Sequence, residues 1–534
     1  MKSSRLLSAS GFLLAGTFLA HSLFYYWALG TDAVDDAYIS FRYAQNAIRG
    51  HGLIFNPGER VEGFTNFLWT TLMLPLEGAG FDVGRVSMLL GALVALALMW
   101  LVVRFAKIID APRGVGLLAA LLLAVDGSFV LWSISGLETV MFAFLVFAGA
   151  LLYLQEQDGG QRTDAGVRSS LIGLPSGFPY SGIFFALAAM TRPEGLFVFA
   201  ITVAHQAAWR LLTERRLFTI HDILRGVAFA MIFVPYWLGR WYYYKSFLPN
   251  SFHAKVSASG PAAQITRGWN HLSQFVGVHL GWLATVPPVV ALIGAATSSR
   301  FKVSRTSPLI TRRSPHLFWT TFFAMIIVPY AAYIVYVGGD WSVGRFFVPL
   351  LPMFYLLFAT GLVEIWKRIV ESRMTSWGKR AEYAGITVSG ALAALFFLWS
   401  SWGGEYGIYI RSFDAGRATE ARVTMGKWLK ANAPRGTLIA VDAAGQVPYF
   451  SELPAIDMFG INDLHIGRLP VTTLGQGTPG HEKFDLVYVV QRQPQYVVIF
   501  GNLLDSVKEY ERAPVEWTKD WQLYKFLTLY KIKK

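Results

Sequence analysis

Long apolar runs recur through three quarters of this chain, and no other feature narrows its folding options as much. They lie at 6–29, 83–104, 114–131, 137–154, 179–191, 195–212, 224–243, 274–297, 317–337, 346–366 and 383–402. A bilayer core takes about 20 residues of helix, and in lipid every backbone polar group must be satisfied within its own segment, so such runs fold as transmembrane helices. Only 15% of residues are charged and 54% are hydrophobic, against about 25% charged in soluble domains. The expected fold class is a polytopic α-helical membrane protein with about 11 spans. The run 179–191 is short because Pro193 follows Thr191-Arg192; proline removes a backbone donor and disfavours helix just before it.

Charge orients the bundle. With a cytoplasmic start, the inside loops carry Arg104, Lys107 and Arg113; Arg162 and Arg168; Arg210, Arg215, Arg216 and Arg225; Arg300, Lys302, Arg305, Arg312 and Arg313; and Lys367, Arg368, Arg373, Lys379 and Arg380. Every inside loop then obeys the positive-inside rule. The same rule accounts for the net charge of +13 without a nucleic-acid partner. Asn66–Leu76 is apolar but too short to cross, so it is expected to lie along the outer interface within a first external loop, 30–82. Lys2 and Arg5 precede a run longer than a signal-peptide core, which predicts an uncleaved first span. Cysteine is absent, which excludes disulfides and thiolate chemistry.

Residues 1–402 thus form the membrane domain. From Gly403 the runs shorten: strand-like Thr437–Val441, Tyr496–Phe500 and Leu523–Leu529 alternate with helical Arg417–Ala431 and Glu482–Arg492. An odd number of spans puts this α/β tail, 403–534, outside the cytoplasmic membrane. Lys531-Ile532-Lys533-Lys534 has a dilysine spelling that no cytosolic receptor could read there, so it is a solvated tail.

The polar motifs gather on the outer side. Asp35 and Asp36 stand at the lip of the first span, with Tyr38, Arg42 and Glu62 in the same loop; Glu138, Arg192, Glu194, Asn250, His253, Lys255, Asp340 and Arg345 follow. Ionisable groups near membrane depth are costly and mark sites. Each has a plainer explanation: one Asp caps a helix from Tyr38 to Arg49, Arg192 and Glu194 pair at a helix break, His253 and Lys255 snorkel, Gly339 serves a turn, and Glu138 favours a helix N-terminus. Capping explains one Asp, not two.

Sugar transfer outside the cell has no nucleotide sugar to draw on, so its donor is a sugar on a membrane-held polyprenyl phosphate. That reaction needs a carboxylate to act on the acceptor hydroxyl or to stabilise the anomeric cation. It needs cations for the leaving phosphate and an apolar groove for the lipid. Asp35 and Asp36, then Arg192, Arg345, Lys255 and His253 with Asp340 and Glu194, then the aromatic Trp241-Tyr242-Tyr243-Tyr244, supply these.

Asp-Asp-Ala-Tyr-Ile-Ser-x-Arg-Tyr-Ala from Asp35, followed by Gly52–Gly63, resembles the GT-C glycosyltransferases related to the actinobacterial terminal β-(1→2)-arabinofuranosyltransferase. The resemblance recurs at Ser135–Thr139, Thr191–Gly195, Leu248–Lys255, Gly338–Arg345, Ala440–Tyr449, Ile456–Asp463 and Gly480–Lys483. It implies a GT-C membrane domain, a polyprenyl-phosphate sugar donor, and a catalytic role for Asp35 and Asp36. It also implies a tail that shapes the acceptor side, with Asp457, Asn462 and Asp463 as candidates there. Arabinofuranose is the favoured sugar; mannose or another sugar, and a glycan, glycolipid or protein acceptor, stay open. Inversion would let one Asp act as base, whereas the retention of the arabinofuranosyl relative would require a carboxylate to stabilise or trap the cation. Two acids could also hold a divalent cation. A transporter or flippase of lipid-linked precursors is the rival, but it would call for inverted repeats with sites at the midplane.

Overall fold

The computed structural model describes residues 2–29, 32–109, 111–112, 114–157, 178–255, 261–297, 315–342, 344–372, 378–403, 407, 415–513 and 527–533. Of the orienting basic residues, Arg113, Arg162, Arg168, Arg300, Lys302, Arg305, Arg312, Arg313 and Arg373 lie outside them, as does Val343.

Among the described residues seven helices are long and apolar enough to cross a membrane: Val83–Ile108, Thr139–Glu156, Glu194–Glu214, Ile220–Tyr244, His316–Tyr336, Arg345–Glu371 and Arg380–Trp402. Two of the eleven expected spans are instead bent pairs, Val115–Val125 with Gly127–Ser133 at 69° and Ala262–Leu280 with Trp282–Thr297 at 95°, which raises the count to nine. The two remaining expected runs, 6–29 and 179–191, are helical as well. Tyr180–Thr191 has 12 residues, about 18 Å of helix, too short to cross alone. The first run is one helix, Lys2–Leu29, outside the seven.

Both bends converge on one buried network. Asp126 breaks the first pair and caps its second helix by accepting the Phe129 amide at 2.7 Å. Its Oδ2 meets His279 at 2.9 Å and the Tyr355 hydroxyl at 2.6 Å. His279 lies just before Gly281, whose φ of +75° turns the second bend. In lipid, backbone groups released by a bend need such partners. Arg345–Glu371 is the most enclosed of these helices, with 83% of its apolar 18-residue stretch buried, whereas in Ile220–Tyr244 the share is 17% and Met231, Leu238 and Tyr242 turn outward.

Within the first loop, a helix spans Asp35–Ile48 and a second spans Phe67–Gly78, shorter than a crossing, as expected for Asn66–Leu76. Val34 is the N-cap, so both acids sit in the first turn and neither caps the helix with its side chain.

The tail holds one five-stranded sheet of order β2-β1-β3-β5-β4. Its strands are β1 Ile439–Val441, β2 Ala455–Asp457, β3 Tyr496–Phe500, β4 Tyr510–Arg512 and β5 Leu527–Ile532. β1 pairs in parallel with β2 and β3, and β5 pairs antiparallel with β3 and β4. The strand expected at 523–529 is described as Leu527–Ile532 and ends three residues later, with 523–526 outside the described residues; the expected helices are Ala415–Asn432 and the shorter Leu486–Gln491. The tail is docked, not tethered. Buried Arg42 donates to the carbonyls of Pro448 and Leu453 at 2.9 Å, Asn56 pairs with Ala455, and Asn250 donates to the carbonyls of Gly460, Ile461 and Asp463.

Candidate active site

Between the helix Asp35–Ile48, the ends of the membrane helices and the sheet lies a cavity of about 300 Å³. The membrane side contributes Asp35, Asp36, Lys255 and Trp341, and the tail contributes Arg422, Asp442, Asp457, Phe459, His481 and Phe500.

The two adjacent acids have different surroundings. Asp35 accepts the backbone amides of Gly445 and Gln446 at 3.1 and 2.9 Å, with the Arg422 Nε 3.9 Å away. Gly445 is required for this: a Cβ there would overlap the Asp35 carbonyl oxygen. Among the described residues Asp36 takes no backbone amide, and it faces the Arg345 guanidinium at 3.6 Å. Burial pushes its carboxyl above the usual carboxylate range despite the pull of Arg345 and Lys255, and Asp35 and Asp340 add to the rise.

Arg345 is held from behind. Glu138 accepts from it at 3.2 Å, from Arg192 at 3.1 Å and from Asn66 at 2.8 Å. Arg192, expected to bind phosphate, is instead buried between Glu138 and Glu194, which it meets at 2.9 Å, and its charge lies over Phe346. Turning this guanidinium to a phosphate would strand Glu194 and take one of three partners from Glu138. Glu194 is held by the same pairing. His253 does not line the cavity, and its carbonyl accepts from Lys483. Lys255 does line it and makes no ion pair among the described residues. Asp340 accepts the Trp341 amide and the Ser342 hydroxyl, which shapes the turn that presents Trp341.

The shaping residues are structural ties. Glu62 pairs with Arg240 at 2.7 Å, and Tyr38 donates to Asp32 and packs on Tyr449 and Phe450. Asp457 accepts from Asn462 and the Phe459 amide, and Asp463 caps a short helix through Ile466, so both order the loop after β2.

Sequence reasoning passed over Arg422, Asp442, His481 and Phe500. Asp442 follows β1 directly, and its Oδ2 accepts the Phe500 amide at 2.6 Å. Burial pushes its carboxyl up to about 6, against the Phe500 amide and Arg422, while Asp35 adds to the rise. A carboxylate right after a strand-like run was the available signal. Each Asp35 oxygen accepts one backbone amide, and among the described residues no group of three or more His, Asp or Glu side chains could hold a metal ion.

A family described as a domain of unknown function (DUF8728) matches residues 409–531. In sequence the chain is similar to the terminal beta-(1->2)-arabinofuranosyltransferase of Corynebacterium glutamicum, 26% identical over 380 residues, covering 67% of this chain and 52% of that protein. The chain spans about half the length of the curated relatives it matches. In structure it is similar to ArnT from Cupriavidus metallidurans bound to undecaprenyl phosphate, with TM-score 0.55, 13% identity, and coverage of 96% of this chain and 97% of that one. It is also similar to the Archaeoglobus fulgidus oligosaccharyltransferase, with TM-score 0.53, 14% identity, and coverage of 92% and 70%. The chain is a multi-pass membrane protein with the GT-C glycosyltransferase fold.

Proposed function

We propose that this protein transfers a sugar from a polyprenyl-phosphate donor to a hydroxyl of a cell-envelope glycan at the outer face of the cytoplasmic membrane. One observation carries the reading: a carboxylate, Asp36, shares a cavity with Lys255 and faces Arg345 where the membrane bundle meets the tail. In the step this supports, the acceptor hydroxyl gives its proton to Asp36 as its oxygen bonds to the anomeric carbon. The bond from that carbon to the phosphate oxygen breaks, and the electron pair stays on the polyprenyl phosphate, whose charge Lys255 and Arg345 balance. The likeness to a structure that holds undecaprenyl phosphate supports the lipid donor, and the sequence relative favours arabinofuranose as the sugar.

Proteoliposomes with polyprenyl-phosphate arabinofuranose and an arabinan acceptor test it by mass spectrometry. Wild type is expected to lengthen the glycan, and Asp36→Asn to lose about 10²–10⁴-fold in rate, the usual worth of a positioned acid or base. Redistribution of the lipid between leaflets without glycan growth would instead establish a flippase.

A further inference from the structure

The tail sheet turns the ends of two strands toward the cavity. In the order β2-β1-β3, the chain leaves β1 to one side for β2 and returns on the other side as β3. Strands β1 and β3 therefore flank a topological switch point, and open α/β sheets bind ligands outside the carboxyl ends of their strands at such a point. Asp442 comes directly after β1 and Phe500 ends β3, and they are joined by the Phe500 amide bond to Asp442. Arg422 lies 4.8 Å over the Phe500 ring. All three line the cavity that Asp36 enters from the membrane side.

A donor anchored in the bilayer keeps its phosphate at the bundle, beside Lys255 and Arg345. The carboxyl ends of β1 and β3 line the same cavity from the tail side, and we assign them to the other reactant. Their chemistry suits a neutral, hydroxyl-rich partner: a carboxylate accepts hydroxyls, and an aromatic ring packs on sugar C–H faces.

We propose that Asp442 and Phe500 form the acceptor subsite, where Asp442 accepts a non-reacting hydroxyl of an oligosaccharide and Phe500 packs against its ring. This rests on the transferase reading above. Asp457, Asn462 and Asp463 then act behind this subsite by ordering the loop after β2.

The test is a steady-state comparison in proteoliposomes with polyprenyl-phosphate arabinofuranose and arabinofuranosyl, mannosyl and glucosyl trisaccharides, using the acceptor that wild type elongates fastest. Asp442→Asn keeps an oxygen for the Phe500 amide, so its melting temperature should stay near wild type. It is expected to raise the acceptor KM about 10–100-fold, the worth of one charge-assisted hydrogen bond, and to leave the donor KM within about twofold. Phe500→Leu should raise the acceptor KM as well. An unchanged acceptor KM in Asp442→Asn, or a raised donor KM, overturns this inference while the transferase reading stands. A wild type that elongates none of the three overturns both.

Discussion

Asp35 and Asp36 are neighbours in sequence, but of the two only Asp35, among the described residues, accepts backbone amides, those of Gly445 and Gln446. Because burial raises the Asp36 carboxyl above the ordinary range, a base at this position works only above its folded-state value. The rate is therefore expected to fall as pH drops through a midpoint higher than that of an exposed aspartate, and a pH–rate profile checks it. The two arginines behind it should also separate. Arg192→Ala strands Glu194 and takes from Glu138 one of its three partners, and should cost about 3–5 kcal/mol of stability, read as a lower melting temperature in detergent. Arg345→Ala, which removes the guanidinium facing Asp36 at 3.6 Å, should mainly raise the donor KM. A donor KM that rises in Arg192→Ala with no loss of stability would return that residue to the phosphate.

Among the elements, helix breaks and one glycine matter more than helix length. The loop after β1 brings its amides to Asp35 only because residue 445 lacks a Cβ. Gly445→Val should push the tail away from the first-loop helix, and displacements of this order, about 1 Å, cost up to about 10²-fold in rate. Gly226→Ala is the control, since nothing lies within 4 Å of the added atom; equal losses in both variants would reject the argument. The bends at Asp126 and Gly281 were not legible, because hydropathy registers a broken helix and a straight one alike. Strand β3 was legible to the residue, since Tyr496–Phe500 is a short β-branched and aromatic run.

Over the whole molecule, the expected orientation places the tail outside the cell. The chain has no cysteine, so Gly403→Cys, at an exposed position just past the last span, provides a single reporter. An impermeant maleimide should label it in intact cells; labelling only after lysis would invert the topology. By itself the sequence determined membrane residence, the acidic first loop and the change of character near residue 403. These follow from composition and period, which local physics writes directly into the residues. Only the tertiary structure decided that Arg192 is a buried strut, that Asp35 holds the tail, and that Asp442 joins Asp36 in one cavity. Each of those depends on partners tens to hundreds of positions away, and a side chain's role in a low-dielectric site is set by which partners reach it.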